Sequence, residues 1–148
     1  MFQGRMKMMA ESNSLSPRDV FALFQQAVLK KDGNALAELY AEDGIHEFPF
    51  RSGSPKTIGQ NAIRMMFSGL AKAPIRYYQF QDVVIHDSVN PEVLIVEYKI
   101  DAEFLTSGHR FKPAYVAIMR IHEGKIAHFR DYEDIVGKER AFSGKESL

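Results

Sequence analysis

The sequence predicts an α+β protein in which a curved mixed or antiparallel sheet forms a cone-shaped barrel wrapped around three N-terminal helices. The first half of the chain carries apolar residues at helical spacing in three separate segments. The second half, after Pro74, consists of four strand-like runs with short connections. Helices that precede a strand meander in this way are typical of helices packed on one face of an antiparallel sheet.

The length and composition predict one domain with a sizeable core. The chain has 148 residues, of which 45% are hydrophobic, and a domain of about 150 residues buries most of the surface of its unfolded chain. We expect a single domain over residues 14–136, a disordered tail at residues 1–13, and a second tail at residues 137–148.

The charge balance and the absent residue types argue against several function classes. Lys plus Arg equals Asp plus Glu at 19 each. This balance argues against a nucleic-acid binder or a protein of anionic membrane surfaces, since both need a basic surface. The chain has no cysteine, which rules out thiolate ligands, and its five histidines show no metal-ligand spacing. We therefore expect neither metal nor cofactor, no membrane span, and a cytoplasmic location.

Three helices are predicted in the first half. Ser16 is the expected N-cap of the first helix, with Asp19 as the capping-box acid three residues later. Asn34 is the expected cap of a short second helix over residues 35–40. The third helix is predicted over residues 60–70, with one apolar stripe.

Five strands are predicted. A short early strand ends near a proline, and four later strands form the meander, with Glu123-Gly124 as its last turn. The predicted strands cover residues 45–50, 75–86, 93–105, 111–122 and 125–132. The polar residues after the last strand are expected to form a short helix or a frayed tail.

Helices packed on a curved sheet enclose a cavity, which is a common site for a small, largely apolar molecule. The side chains that we expect to bind this molecule are aromatic or aliphatic. In the alternative interpretation, the same side chains fill the core. They are Tyr40, Phe48, Ile63, Phe67, Phe80, Ala117 and Phe129.

Asp131 is the principal candidate for acid/base chemistry. It shares strand parity with Phe129, so it faces the cavity if that phenylalanine does. Burial would favour the protonated carboxyl and make Asp131 a candidate proton shuttle. The alternative is a strand-end carboxylate paired with Arg130. His46 and Tyr115 are candidate catalytic hydrogen-bond donors, although a lone histidine is more often a structural group.

The strand predicted over residues 93–105 alternates between two faces. Lys99 and Asp101 share one charged face with two glutamates, and apolar residues share the other face. One interpretation is a solvated charged face. The other directs Lys99 and Asp101 into the cavity, where they would orient Asp131 as part of the catalytic group.

The strand predicted over residues 111–122 is mostly apolar on both faces as far as Met119. A strand buried on both faces needs cover on both sides, and the helices supply only one. We therefore predict a homodimer through the outer face of the sheet.

Three motifs resemble one known family. The early IHEFPF, the Pro/Gly loop followed by GQNAIRMMF, and the closing EGKIAHFRDYED resemble the SnoaL-like branch of the nuclear transport factor 2-like superfamily. The typical ending of that branch is G-K/R-I-x-x-x-R-D-Y-x-D. The resemblance covers about residues 15–136. Relatives include ketosteroid isomerases, polyketide cyclases, scytalone dehydratase and limonene-epoxide hydrolase, so the resemblance implies the fold and leaves the reaction open.

The resemblance carries over only some catalytic residues. Epoxide hydrolases of this fold use an Arg-x-Asp pair and a later Asp, which correspond to Lys99, Asp101 and Asp131 here. Lysine cannot donate two parallel hydrogen bonds from a planar group as arginine does, so Lys99 does not reproduce the Arg-x-Asp pair. The acids of ketosteroid isomerases correspond to Phe48 and Ala117, so that mechanism is not expected. The last-strand Asp of polyketide cyclases resembles Asp131.

Two functional hypotheses follow. The first is a cofactor-independent enzyme that moves protons on a small apolar molecule by isomerisation, cyclisation or epoxide opening, with Asp131 as the acid/base. The second is a non-catalytic module of the same fold that binds a small ligand or dimerises, which the missing isomerase acids favour. The directions in which Asp101 and Asp131 point discriminate between the two.

Overall fold

A computed structural model describes residues 14–144, so the tail predicted at residues 1–13 lies outside the described part of the chain. The helices are α1 (Pro17–Leu29), α2 (Gly33–Glu38), α3 (Gln60–Phe67) and α4 (Ile135–Ser143). The strands are β1 (Tyr40–Glu47), β2 (Lys56–Ile58), β3 (Ile75–Asp87), β4 (Val93–Phe104), β5 (His109–Phe111), β6 (Ala114–His122) and β7 (Lys125–Glu133).

The strands form one curved, open sheet, which confirms the predicted α+β class. The strand order is β2-β1-β7-β6-β4-β3, and β5 also pairs with β4. Neighbouring strands are antiparallel except for β1 and β7, which are parallel and set His46 beside Phe129. This pair brings residues that are far apart in the sequence to one side of the molecule.

The helices are short, and their starts follow capping chemistry. The Ser16 hydroxyl accepts from the Asp19 amide at 3.1 Å, and the Asp19 carboxylate accepts from the Ser16 amide at 3.0 Å. These bonds confirm the predicted capping box. The predicted cap at Asn34 is wrong, because Asp32 caps α2 by accepting from the Ala35 amide. No helix within residues 14–144 is long and apolar enough to cross a membrane.

The hairpin between β6 and β7 confirms the predicted turn. Glu123 and Gly124 both have left-handed backbone, with φ of 50° and 77°, as the two central residues of a tight hairpin turn require. The strand predicted over residues 111–122 is interrupted at Lys112 and Pro113. Proline has no amide hydrogen to donate to a strand ladder, so β5 and β6 are separate strands.

The core lies between α1 and the inner face of the sheet. Val20, Phe21 and Phe24 of α1 are buried in one cluster with Val96 of β4 and Met119 of β6. The apolar stripe predicted for the first helix therefore faces the sheet, as its spacing requires.

Two close contacts position elements at the edges of this core. A Cβ on Gly33 would lie 2.4 Å from the Phe67 carbonyl oxygen, so glycine allows α2 to pack against the end of α3. α4 extends the domain past the boundary predicted at residue 136. Its Ala141 is buried, and the Phe142 ring lies 4.8 Å from the Phe104 ring.

Candidate active site

A cavity of about 160 Å³ lies between the helices and the inner face of the sheet. Its apolar wall includes Phe24, Phe48, Phe67, Tyr98, Ile100 and Tyr115. Its polar wall consists of His46, Arg51, Asp131, Glu133 and Lys138. A concave, mostly apolar site on which a few polar groups converge is typical of small-molecule binding.

β7 delivers Asp131 to this cavity. Phe129, Asp131 and Glu133 alternate with outward residues, so all three lie on the inner face. Asp131 lies opposite Ala117 of β6, whose side chain is only a methyl group. Its Oδ1 atom is buried and has no hydrogen-bond partner among residues 14–144. The cavity wall therefore contains an unsatisfied hydrogen-bond acceptor.

Tyr40, His46 and Asp131 form one hydrogen-bonded chain. The Tyr40 hydroxyl lies 2.6 Å from His46 Nδ1, and His46 Nε2 lies 3.2 Å from Asp131 Oδ2. A carboxylate only accepts, so Nε2 carries a proton. In the neutral imidazole, Nδ1 then accepts from the Tyr40 hydroxyl. The His46 ring also stacks 4.6 Å from the Phe129 ring. The chain therefore fixes Oδ2 of Asp131 and leaves Oδ1 free.

Tyr98 and Tyr115 bring neutral hydroxyl groups to the cavity. Their rings stack at 5.1 Å. Burial raises the pKa of both hydroxyls well above the usual value, and the charge on Asp131 adds to this effect. Neither hydroxyl has a hydrogen-bond partner within the described residues. Both phenols are therefore protonated at neutral pH and can donate to a ligand oxygen.

Arg51, Glu133 and Lys138 form an ion cluster at the edge of the cavity. Arg51 Nε donates to Glu133 Oε1 at 2.6 Å, and Lys138 Nζ donates to Oε2. Burial alone would raise the pKa of Glu133, but the hydrogen bond from Arg51 and the charge of Lys138 outweigh burial and lower it. Glu133 is therefore ionised at neutral pH.

Lys99 and Asp101 do not face the cavity. Lys99 is half-exposed and lies 3.9 Å from Asp82. Asp101 accepts from Arg110 Nη2 at 2.6 Å and from its Nε at 3.3 Å. The interpretation that placed this pair beside Asp131 is wrong in geometry, because the apolar residues of β4 occupy the inner face and alternation turns the charged ones outward.

The predicted site residues divide into those at the cavity and those behind its wall. His46, Tyr115 and Asp131 line the cavity, together with two of the predicted ligand contacts, Phe48 and Phe67. The other predicted contacts lie outside the lining and belong to the surrounding core: they are Tyr40, Ile63, Phe80, Ala117 and Phe129.

Several residues of the site are missing from the sequence prediction, among them three charged residues and one tyrosine that the proposed chemistry uses. Glu133 could have been found from its two-residue spacing to Asp131, which places both on one face of β7. Tyr98 lies on the apolar face of β4 that the alternation already defines. Arg51 and Lys138 lie in a loop and a terminal helix, and no periodicity fixes where such segments pack.

A larger, open groove of about 410 Å³ lies on the outer face of the sheet. Phe50, Val84, Val116 and Tyr132 contribute its apolar lining. Its acids are the surface groups Asp82, Glu97 and Asp134 and the ion-paired Glu133. Asp131, which has an unpaired oxygen, lines the inner cavity, so the inner cavity is the better candidate for chemistry. Within residues 14–144, no group of three or more histidine or carboxylate side chains is placed to hold a metal ion.

Comparison with known proteins identifies the family. The model of the SnoaL-like domain matches residues 20–129. The uncharacterized protein YesE of Bacillus subtilis (strain 168) is 28% identical over 123 residues, which are 82% of this chain and 83% of YesE. The crystal structure of a Bacillus subtilis protein, assigned provisionally as an isomerase, has a TM-score of 0.76 and 26% identity, over 84% of this chain and 91% of that one. A Pseudomonas putida KT2440 structure, assigned provisionally as a polyketide cyclase, has a TM-score of 0.70 and 17% identity, over 84% and 96% of the two chains. The chain belongs to the SnoaL-like domain family, within the nuclear transport factor 2-like superfamily.

Proposed function

We propose that the protein is a cofactor-independent enzyme that transfers protons on a small, largely apolar molecule bound in the inner cavity. Asp131 is the general acid/base, and His46 holds it in position. The hydroxyls of Tyr98 and Tyr115 donate hydrogen bonds to an oxygen of the ligand. Isomerisation, cyclisation and epoxide opening are all reactions that a positioned carboxyl group of this kind promotes.

One observation carries this proposal: Oδ1 of Asp131 is buried without a partner, whereas Oδ2 is bonded to His46. A buried carboxylate oxygen without a hydrogen bond costs free energy. A catalytic role is one physical reason for which a native protein keeps such an unsatisfied group. The Asp131 side chain is 14% exposed, so the carboxyl group is accessible from the cavity as a whole, although Oδ1 itself is buried.

The simplest reaction of this arrangement is a proton shift. Oδ1 of Asp131 takes a proton from a carbon beside a carbonyl group, and the electron pair of the broken C–H bond moves towards the carbonyl oxygen. The hydroxyl of Tyr98 or Tyr115 donates a hydrogen bond to that oxygen as its negative charge develops. The enolate extends over a C=C bond that the substrate carries beside the deprotonated carbon. Asp131 then returns the proton to the far carbon of that bond while the carbonyl re-forms and the double bond shifts, which regenerates the carboxylate and leaves an isomer of the substrate.

The cavity sets the size of the ligand. An apolar protein cavity of about 150 Å³ accommodates benzene, and the volume here is about 160 Å³. A molecule with one six-membered ring and a small oxygen-bearing substituent is therefore the expected substrate. The provisional isomerase assignment of the Bacillus subtilis structure agrees with this reaction class.

Replacement of Asp131 by Asn tests the assignment with two one-ring probes. Proton exchange beside the carbonyl of cyclohex-2-enone is followed by NMR in deuterium oxide, and opening of cyclohexene oxide is followed by chromatography. We expect the wild-type protein to accelerate at least one reaction. Asp131→Asn should lower that rate by about 10²–10⁴-fold, the usual contribution of general acid/base catalysis.

Asp87→Asn is the matched control, because Asp87 is an exposed carboxylate paired with Arg18. This variant should keep wild-type rates. A folded Asp131→Asn protein with wild-type turnover would contradict the role of Asp131.

A non-catalytic binding module is the second candidate. Phe48 and Ala117 occupy the positions that resemble the acid positions of ketosteroid isomerases, and both are buried, at 9% and 0% exposure. Apolar residues at both positions favour binding over isomerase chemistry. Probes that bind the cavity without reacting would support this candidate over the enzyme.

We also propose that two copies of the chain associate through the outer face of the sheet. Ala114, Val116 and Ile118 of β6 lie half-buried on that face, beside Tyr132 of β7 and the exposed Phe50. A cytoplasmic location also stays a prediction, and a chain without cysteine is consistent with it.

A further inference from the structure

The ion cluster at the edge of the cavity contains two cations for one carboxylate. Glu133 accepts from Arg51 through one oxygen and from Lys138 through the other. The Glu133 side chain is 3% exposed, whereas that of Arg51 is 45% exposed. Lys138 alone compensates the charge of Glu133, so this cluster carries one net positive charge, on Arg51, and that charge balances Asp131 deeper in the same cavity.

The Arg51 guanidinium is held in place but not saturated with acceptors. Its carbon lies 3.6 Å from the centre of the Phe48 ring, and its Nε is bonded to Glu133. Neither terminal amino group has an acceptor within the described part of the chain. The face of the guanidinium that matches a carboxylate in two-point geometry is therefore open.

The backbone that carries Arg51 is fixed by its own loop. The Arg51 amide donates to the Phe48 carbonyl at 3.2 Å, and the Ser54 amide donates to the Arg51 carbonyl at 2.8 Å. The Ser54 hydroxyl donates to the Pro49 carbonyl at 2.8 Å. A guanidinium that is already ordered loses little freedom when it binds an anion, which favours affinity.

We propose that the ligand of this cavity carries a carboxylate, which pairs with the terminal amino groups of Arg51 while its ring lies beside Asp131. The inference rests on the proposed function, since it assigns the ligand class of the same cavity. Lys138, whose Nζ lies 4.8 Å from the centre of the Tyr115 ring, adds positive charge nearby. Arg51 attracts the ligand anion at short range through its open amino groups, and this attraction opposes the repulsion from Asp131 and Glu133.

Phenylacetate and phenylacetamide test the carboxylate, because they share a ring and a size and differ in charge. Both are titrated into the protein by calorimetry at neutral pH and low salt. We expect the wild-type protein to bind phenylacetate about tenfold more tightly than the amide, since hydrogen bonds to charged groups are the stronger ones. In Arg51→Gln the preference should disappear while the affinity for phenylacetamide is unchanged.

Arg76→Gln is the control, because Arg76 is an exposed arginine of β3 that stacks on Tyr78 away from the cavity. This variant should keep the preference. Equal wild-type affinities for the two probes, or a preference that survives in Arg51→Gln, overturn the carboxylate site alone. Failure of both probes to bind the wild-type protein overturns this site together with the one-ring cavity ligand of the proposed function. The wild-type comparison needs no variant, so it holds even where a substitution prevents folding.

Discussion

His46 has the surroundings of a core residue, yet its position gives it a role in the site. It is 1% exposed, and its ring lies 4.6 Å from both Phe48 and Phe129. A buried histidine with both nitrogens bonded is satisfied in one tautomer. Its partner at Nε2 is Asp131, whose second oxygen is free. We therefore regard His46 as a positioning residue that acts through the carboxylate.

Replacement of Tyr40 by Phe tests this hydrogen-bonded chain. The change removes the donor to His46 Nδ1 and leaves a buried nitrogen unpaired, which should lower the free energy of unfolding by about 1–3 kcal/mol. The proton stays on Nε2, because Asp131 still accepts there. The ring ¹⁵N chemical shift of His46 Nδ1 should nevertheless change, since this nitrogen loses its hydrogen-bond donor.

Tyr132→Phe is the control for this change, since Tyr132 packs on Phe50 outside the cavity. It should alter neither the His46 shifts nor the stability appreciably. A Tyr40→Phe protein with unchanged stability and an unchanged Nδ1 shift would show that the Tyr40 contact does not position His46.

At the scale of helices and strands, the sequence predicts well which residues share a face of one element. It predicts poorly which distant strands pair with each other. The alternation in β7 correctly puts Asp131 on the same face as Phe129, because strand parity is a geometric property. β2 has no apolar alternation and forms only by pairing with the edge of β1. His46 and Asp131 are separated by 85 residues, and no local pattern specifies the parallel pairing that joins them.

Alternation in a sequence also does not tell which face of a strand is turned towards the core. The pattern of β4 separates Tyr98 from Lys99 but does not state which face is inside. Burial of the larger apolar set decides in favour of Tyr98, so the polar network expected around Lys99 is absent from the cavity. The position of Arg51 depends on loop hydrogen bonds that appear only in the folded chain.

Glu133 links α4 and the loop of Arg51 to the sheet, and this gives a pH-dependent contribution to stability. Its pKa is lower in the folded state than its usual value of 4.5. As the pH falls, Glu133 therefore takes up its proton at a higher pH in the unfolded chain than in the folded one. The contribution is present above the unfolded pKa and is lost as the pH falls through the folded pKa. Urea unfolding of the wild-type protein should therefore show a falling free energy of unfolding below about pH 4.5.

Glu133→Gln should lose on the order of 1–3 kcal/mol at pH 7, because the two cations lose their shared partner. It should also show a shallower dependence on acid pH than the wild-type protein. Glu139→Gln, at an exposed position of α4, is the control and should behave like the wild type. An unchanged acid dependence in Glu133→Gln would mean that other carboxylates cause the acid sensitivity.

In the whole molecule, the two faces of the sheet have different surroundings, and this difference predicts the oligomeric state. The inner face is covered by helices, whereas Val116 lies in the apolar groove of the outer face. A stable dimer buries roughly 1,200–2,000 Å² in total, and a glutamate at the centre of a two-fold interface would place like charges together.

Light scattering at micromolar concentration should give twice the 16.9 kDa of the chain for the wild type. Val89→Glu, which changes a fully exposed loop residue, is the control and should give the same mass. Val116→Glu should give a monomer that still binds phenylacetate, because the cavity is built within one chain. A monomeric wild-type protein would contradict the dimer, and a folded Val116→Glu monomer without binding would mean that association shapes the cavity.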